Sequence, residues 1–143
     1  KTYPSVKWFM EKSIETARAN GYNETIFHRK RYLPDINSRN AIVRGYAERN
    51  AINAPIQGSA ADIIKVAMIR IYDRFLKEGI RSKMILQVHD ELNFSVVPEE
   101  KEKVQQIVIA EMENAYKMKA PLLADCGWGG WKPTDKVCLL TNI

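Results

Sequence analysis

Two adjacent carboxylates, Asp90 and Glu91, lie in the stretch Gln87-Val88-His89-Asp90-Glu91-Leu92. On its N-terminal side Met84, Leu86 and Val88 alternate with Ile85, Gln87 and His89; on its C-terminal side Leu92, Phe94 and Val96 alternate with Asn93, Ser95 and Val97. A side-chain period of two marks strands, so the pattern predicts a tight β-hairpin with both carboxylates at its tip. Asp-Glu is a poor two-residue turn, because primed turns favour Gly or Asn at positive φ. Crowded carboxylates also repel unless a cation or solvent offsets them. One reading is a divalent-metal ligand pair on a rigid support. The other is an ordinary acidic, solvated turn.

A second set of side chains suits nucleic acid. The spacing predicts a helix over about residues 39–54, in which Val43, Ala47, Ala51 and Ala54 share one face and would let a neighbour pack closely. The opposite face carries Ile42 and Tyr46, then Arg49, Asn53 and Gln57 at i, i+4 and i+8, the last only if helicity resumes past Pro55. Every base pair offers minor-groove acceptors at nearly the same place, and Arg, Asn and Gln can all donate to them. Such a row could grip a duplex without reading its sequence. A solvated polar face is the alternative.

Other elements must position these two sets. Pro4 and Gly21 bracket a helix with Val6, Phe9, Met10, Ile14 and Ala17 on its apolar face, and Trp8 falls off that stripe. Over residues 24–33, Thr25-Ile26-Phe27 and Tyr32-Leu33 flank His28-Arg29-Lys30-Arg31, a short ribbon with a basic tip. Pro34-Asp35-Ile36-Asn37-Ser38 reads as a turn, with Ser38 as N-cap of the next helix. Beyond Pro55, a helix from about Ser59 to Glu78 carries a core stripe of Ile63, Ile64, Ala67, Met68, Ile71, Tyr72, Phe75 and Leu76, with Asp62 on another face. Pro98-Glu99-Glu100 opens a further helix that buries Val104, Ile107, Val108, Met112 and Ala115. A last strand over 121–124 precedes an irregular tail rich in Gly and Trp.

With 143 residues and 45% hydrophobic content, the chain can build one core. Its 22 Lys+Arg against 17 Asp+Glu leave +5, compatible with a polyanionic partner. No apolar run approaches the ~20 residues a membrane span needs. Cys126 and Cys138 have neither CxxC spacing nor a histidine cluster, so neither zinc nor a disulfide framework is expected, and a reducing, cytoplasmic setting is the default. The Asn-x-Thr at Asn23 is then idle as a glycosylation site. The chain opens at Lys1 without Met and reads as a piece of something longer.

The stretch from Arg49 to Lys65, Arg49-Asn50-Ala51-Ile52-Asn53-Ala54-Pro55-Ile56-Gln57-Gly58-Ser59-Ala60-Ala61-Asp62-Ile63-Ile64-Lys65, is followed by Gln87-Val88-His89-Asp90-Glu91-Leu92. Together with Tyr32-Leu33-Pro34-Asp35-Ile36-Asn37-Ser38-Arg39-Asn40, these resemble the family A DNA polymerases of bacteria, over about Tyr3 to Gly129. The resemblance implies an α+β fold: an antiparallel palm hairpin with helices packed on one face, plus part of the fingers. It places residues 1–37 in the fingers, 38–130 in the palm and 131–143 in an atypical tail. It implies template-directed nucleotidyl transfer from deoxynucleoside triphosphates to a primer 3′-hydroxyl, with two Mg²⁺ ions in the complete enzyme. Asp90 matches the family's metal-binding aspartate, and Glu91 its acidic neighbour, a weaker or indirect participant in catalysis. His89 matches a residue against the primer end; Arg49, Asn53 and Gln57 match contacts to the minor groove of template-primer DNA.

The family's second metal-binding aspartate and triphosphate-binding helix have no counterpart in the sequence. The chain alone is therefore expected to be inactive and to self-associate through exposed apolar surface. A non-catalytic duplex-binding module is the alternative. A phosphoesterase built on Asp90 and Glu91 would need further ligands, and the only histidines are His28 and His89.

Overall fold

Pro4 and Gly21 delimit the first helix: in the computed structural model α1 runs Pro4–Asn20, and Gly21, at φ 79°, donates its N–H to Ala17 O at 2.8 Å. A left-handed residue after the last turn suits glycine, which has no Cβ to clash. The structure describes residues 3–129 and, for the backbone alone, 135–141. The chain divides between Asp62 and Ile63 into two compact units, taken here in turn.

In the first unit, α1 buries less of its apolar stripe than the period predicts. Ala17 and Ser13 are buried, whereas Val6, Met10 and Trp8 stay exposed. The ribbon pairs β1 (Tyr22–Glu24) with β2 (Lys30–Tyr32). Its strands sit earlier than expected: Thr25-Ile26-Phe27 forms the tip, because the Thr25 hydroxyl accepts from Phe27 N and Arg29 N and bends the chain there. A 3-10 turn over Pro34–Asn37 follows. The N-cap of the next helix is Asn40, not Ser38: Asn40 Oδ1 accepts from Ile42 N at 2.9 Å.

That helix, α2, runs unbroken over Ala41–Lys77 with Pro55 inside it. Two helices separated at Pro55 were expected, since an interior proline removes one hydrogen bond and typically costs about 3 kcal/mol. The missing N–H at Pro55 would have met the carbonyl of Ala51. Asn23 Nδ2 supplies the donor instead, at 2.7 Å from Ala51 O, and also bonds Ser13 O at 2.9 Å. Asn23 is 3% exposed, so both bonds are shielded from water. The ribbon thus repairs the helix that its own packing shields. The same burial removes Asn23 from any glycosylating enzyme. A small apolar cluster of Ala17, Leu33, Ile36, Ala47 and Ala51 completes this unit.

The second unit is a layer of helix on sheet. From Ile63 onward α2 buries Ile63, Ile64, Ala67, Ile71 and Phe75, while Tyr72 and Leu76, expected in the stripe, remain exposed. The helix closes on Gly79 at φ 64°, with Ile80 N donating to Phe75 O at 2.9 Å. Strands β3 (Lys83–Val88), β4 (Glu91–Ser95), β5 (Leu123–Trp128) and β6 (Asp135–Thr141) form an antiparallel sheet in the order β3-β4-β6-β5. Between β4 and β5 lies α3 (Lys101–Glu113), whose Val104, Ile107, Val108 and Met112 join Leu92, Phe94 and Val96 in the core.

Three expectations change in this unit. The alternation in β3 breaks at a bulge between Met84 and Leu86, so Met84 packs on the core while Ile85, Leu86 and Val88 stay exposed. The last strand begins at Leu123 and continues to Trp128, and part of the supposedly irregular tail forms β6, inserted between β4 and β5. The rest of that tail, residues 130–134 and 142–143, lies outside the described residues. Cys126 is disulfide-bonded rather than a free thiol. The strand register, invisible in the cysteine spacing, sets its Cα opposite that of Cys138.

Candidate nucleic-acid interface and acidic turn

Continuity of α2 through Pro55 decides the geometry of the polar row. With 3.6 residues per turn unbroken, Arg49, Asn53 and Gln57 fall on one face, and all three are exposed. Ile42 and Tyr46 continue that face and are 85% and 63% exposed. The Arg49 guanidinium lies 5.8 Å from the Tyr46 ring centroid, and Arg49 has no ion-pair partner among the described residues. That face thus leaves Ile42 and Tyr46 uncovered beside the three donors Arg49, Asn53 and Gln57.

The ribbon is fastened against the same stretch of helix. Asn23 holds Ala51 O, and Ile26 N donates to Ser59 Oγ at 2.9 Å, while that hydroxyl donates to Pro55 O. Arg29 Nε bonds Asp62 Oδ1 at 2.9 Å and Arg29 Nη2 bonds Gly58 O at 3.2 Å. Asp62, expected on a solvent face, is 8% exposed; Arg29 pairs its Oδ1, while Oδ2 is buried without a hydrogen-bond partner among the described residues. Gly58 is required at the contact: a Cβ there would stand 2.7 Å from Thr25 Cγ2. Asn23, Arg29 and Asp62 position the row without belonging to it. Helical periodicity could not reveal them, since the partners are far apart in sequence.

In the second unit the hairpin turn is His89-Asp90, with Val88 opposite Glu91. Both carboxylates were expected at the tip; only Asp90 occupies it, and Glu91 is the first residue of β4. His89 takes φ 52°, the positive value that a two-residue hairpin turn demands at its first central position. Gln87 Nε2 donates to His89 O at 2.9 Å and braces the turn. His89 and Asp90 are exposed and Glu91 is half-buried. Neither carboxylate group makes an ion pair or hydrogen bond among the described residues, so their oxygens remain available to a hard cation such as Mg²⁺. Among the described residues, no group of three His, Cys, Asp or Glu side chains could hold a metal. The donor chemistry fits, and the donor number is that of a partial site, which would leave the ion most of its waters.

A family model described as DNA polymerase family A matches residues 1–132. The DNA polymerase I of Caldicellulosiruptor bescii is 50% identical over 133 residues, which are 92% of this chain and 16% of that protein. Its counterpart in Streptococcus pneumoniae is 49% identical over 123 residues, 86% of this chain and 14% of the relative. Among solved structures, the POL domain of Pol1 from M. smegmatis, in complex with DNA primer-template and dNTP, superposes with a TM-score of 0.79 at 48% identity. That likeness covers 80% of this chain and 20% of the other. The chain thus spans 14–16% of the length of these two curated relatives.

Proposed function

Since this chain belongs to DNA polymerase family A, we propose that it supplies a duplex-gripping helix and an acidic hairpin to a DNA-directed DNA polymerase. The reaction is addition of deoxynucleotides to a primer 3′-hydroxyl, with template-primer DNA and deoxynucleoside triphosphates as partners. The observation that carries the reading is the unbroken passage of α2 through Pro55, which leaves Arg49, Asn53 and Gln57 exposed at four-residue intervals. Each side chain donates to minor-groove acceptors that all base pairs share, so the grip is independent of sequence. Residues 1–37 belong to the fingers and 38–130 to the palm, with 131–143 an atypical tail whose strand β6 joins the palm sheet.

At the hairpin, Asp90 would hold Mg²⁺, with Glu91 as its acidic neighbour and His89 against the primer end. When bound, Mg²⁺ supplies Lewis-acid stabilisation of charge on the transferring phosphoryl group. The hairpin's own part is to hold Asp90 on a turn braced by Gln87. No helix among the described residues is long and apolar enough to cross a membrane. We place the protein in the cytoplasm, in DNA replication or repair.

The test is duplex binding. In fluorescence anisotropy with a labelled primer-template, Asn53→Ala and Gln57→Ala should each weaken binding by about 1–3 kcal/mol on every sequence tried, with the salt dependence unchanged. Parent-like binding by both variants would overturn the reading. For the chain by itself, the incomplete ligand set favours a binding role without catalysis. Primer extension with Mg²⁺ and all four triphosphates should therefore give no product.

A further inference from the structure

The ribbon's three basic residues are not equivalent. Arg29 is committed to Asp62 and Gly58 O. Lys30 lies over the Tyr22 ring, 4.4 Å from its centroid. The side chain of Arg31 is exposed and has no ion-pair or hydrogen-bond partner among the described residues. Successive side chains of a strand point to opposite faces, so Arg31 turns away from Lys30. It faces a pocket of about 230 Å³ between ribbon and helix, lined also by Arg29, Asn50, Asn53 and Gln57.

The lining of that pocket is chemically one-sided. It holds two guanidinium groups and the carboxamides of asparagine and glutamine, and no carboxylate. The charge of Arg29 is offset by Asp62, whereas that of Arg31 is not. A single uncompensated cation flanked by neutral donors matches one monoanionic group with several acceptor oxygens. Asn53 and Gln57 also belong to the row assigned to the minor groove, whose walls are sugar-phosphate backbone.

We infer that Arg31, with Asn50, Asn53 and Gln57, forms a seat for one phosphodiester group of the duplex. The proposal deepens the duplex-binding reading above and rests on it. Arg31 carries the charge of the contact. Arg29 positions the ribbon through Asp62, and Gly58 keeps the ribbon close enough for the seat to exist.

The experiment measures duplex affinity of the whole chain by anisotropy across 50–200 mM KCl. Each neutralised phosphate contributes about 0.9 to the slope of log K against log salt on duplex DNA. Arg31→Ala should reduce that slope by about one, at an unchanged melting temperature, and Arg31→Lys should restore it. Lys30→Ala should leave the slope as in the parent, because Lys30 lies on the other face of β2. An Arg31→Ala slope equal to the parent's overturns the seat while leaving the duplex reading intact. Equal losses from Arg31→Ala and Lys30→Ala overturn it too, by showing diffuse attraction rather than a contact. If the unaltered chain binds no duplex, the wider reading falls and the seat falls with it.

Discussion

The two units are held together by different physics. The unit ending at Asp62 buries five apolar residues in its cluster, three of them alanines, and relies on Asn23, Arg29 and Ser59 to tie ribbon to helix. The unit beginning at Ile63 closes on large side chains, among them Phe94, Leu92, Ile107 and Met112, all at most 2% exposed. Apolar packing is non-directional and tolerates gradual change. Buried polar bonds have fixed partners, and losing one leaves the other stranded. Damage should therefore spread differently: by volume in the second unit, by identity of a single donor in the first.

The largest effect is expected in the apolar unit. Phe94 is fully buried and its ring lies 6.0 Å from that of Phe75. Phe94→Ala should cost about 3–5 kcal/mol in urea denaturation, from lost burial plus the cavity left behind. A cost below about 1 kcal/mol would mean the sheet face is not packed as described.

In the polar unit, Asn23→Ala should cost about 1–3 kcal/mol, the usual penalty for a stranded buried acceptor. A double-mutant cycle sharpens this prediction. Pro55→Ala restores an N–H that can bond Ala51 O directly, so Asn23→Ala should cost less in that background. Identical costs in both backgrounds would show that Asn23 is not the substitute donor for the proline.

This contrast also explains what the sequence made legible. Leu92, Phe94 and Val96 were readable as one strand face, and Val104, Ile107, Val108 and Met112 as one helix face, because packing imposes a period. The Arg49-Asn53-Gln57 row had the right spacing, but its integrity hung on Pro55, which local rules read as a break. The donor that overrides those rules lies 32 positions before the proline, and no window of periodicity reaches it. At the hairpin, the family resemblance named the acidic residues, yet the turn's register and the β3 bulge came only from the backbone. The pairing of Arg29 with Asp62 was equally hidden, being a long-range bond between residues that each look solvent-bound.

The apolar unit has polar clasps of its own, among them Arg74 with Glu111 and Ala124 N with Glu113, and the one at Glu100 gives a pH signature. The Glu100 carboxylate accepts from Ser82 Oγ at 2.6 Å, from Arg81 N at 3.0 Å and from Ser82 N at 2.9 Å. These bonds, that from the Ser82 hydroxyl first, lower its pKa from 4.5 to about 2. Between those values the unfolded chain binds the proton and the folded chain does not, so stability rises with pH across the window. The contribution is fully present above about 4.5 and lost as pH falls through about 2. Urea midpoints of Glu100→Gln should lie below the parent's at pH 6 and vary less between pH 4.5 and 2. A variant as pH-sensitive as the parent there would remove Glu100 as the cause.

The smallest effect on folding is expected at the turn that carries Asp90, and there the comparison turns from stability to function. His89 sits at φ 52°, a left-handed conformation that costs an L-residue about 1–2 kcal/mol. Glycine would remove that strain but adds freedom to the unfolded chain, worth about 0.4–1 kcal/mol in the opposite sense. The relief outweighs or matches the opposing term, so His89→Gly should leave folding stability equal to the parent's or higher by up to about 1.6 kcal/mol. The imidazole is exposed and contributes no core contact to offset the backbone strain. Glycine would therefore fold at least as readily, and folding does not explain histidine at this position. If its use is at the primer end, His89→Gly should weaken binding to a duplex bearing a recessed 3′ end while leaving a blunt duplex unaffected. Equal binding of both DNAs by parent and variant would return His89 to the status of a turn residue.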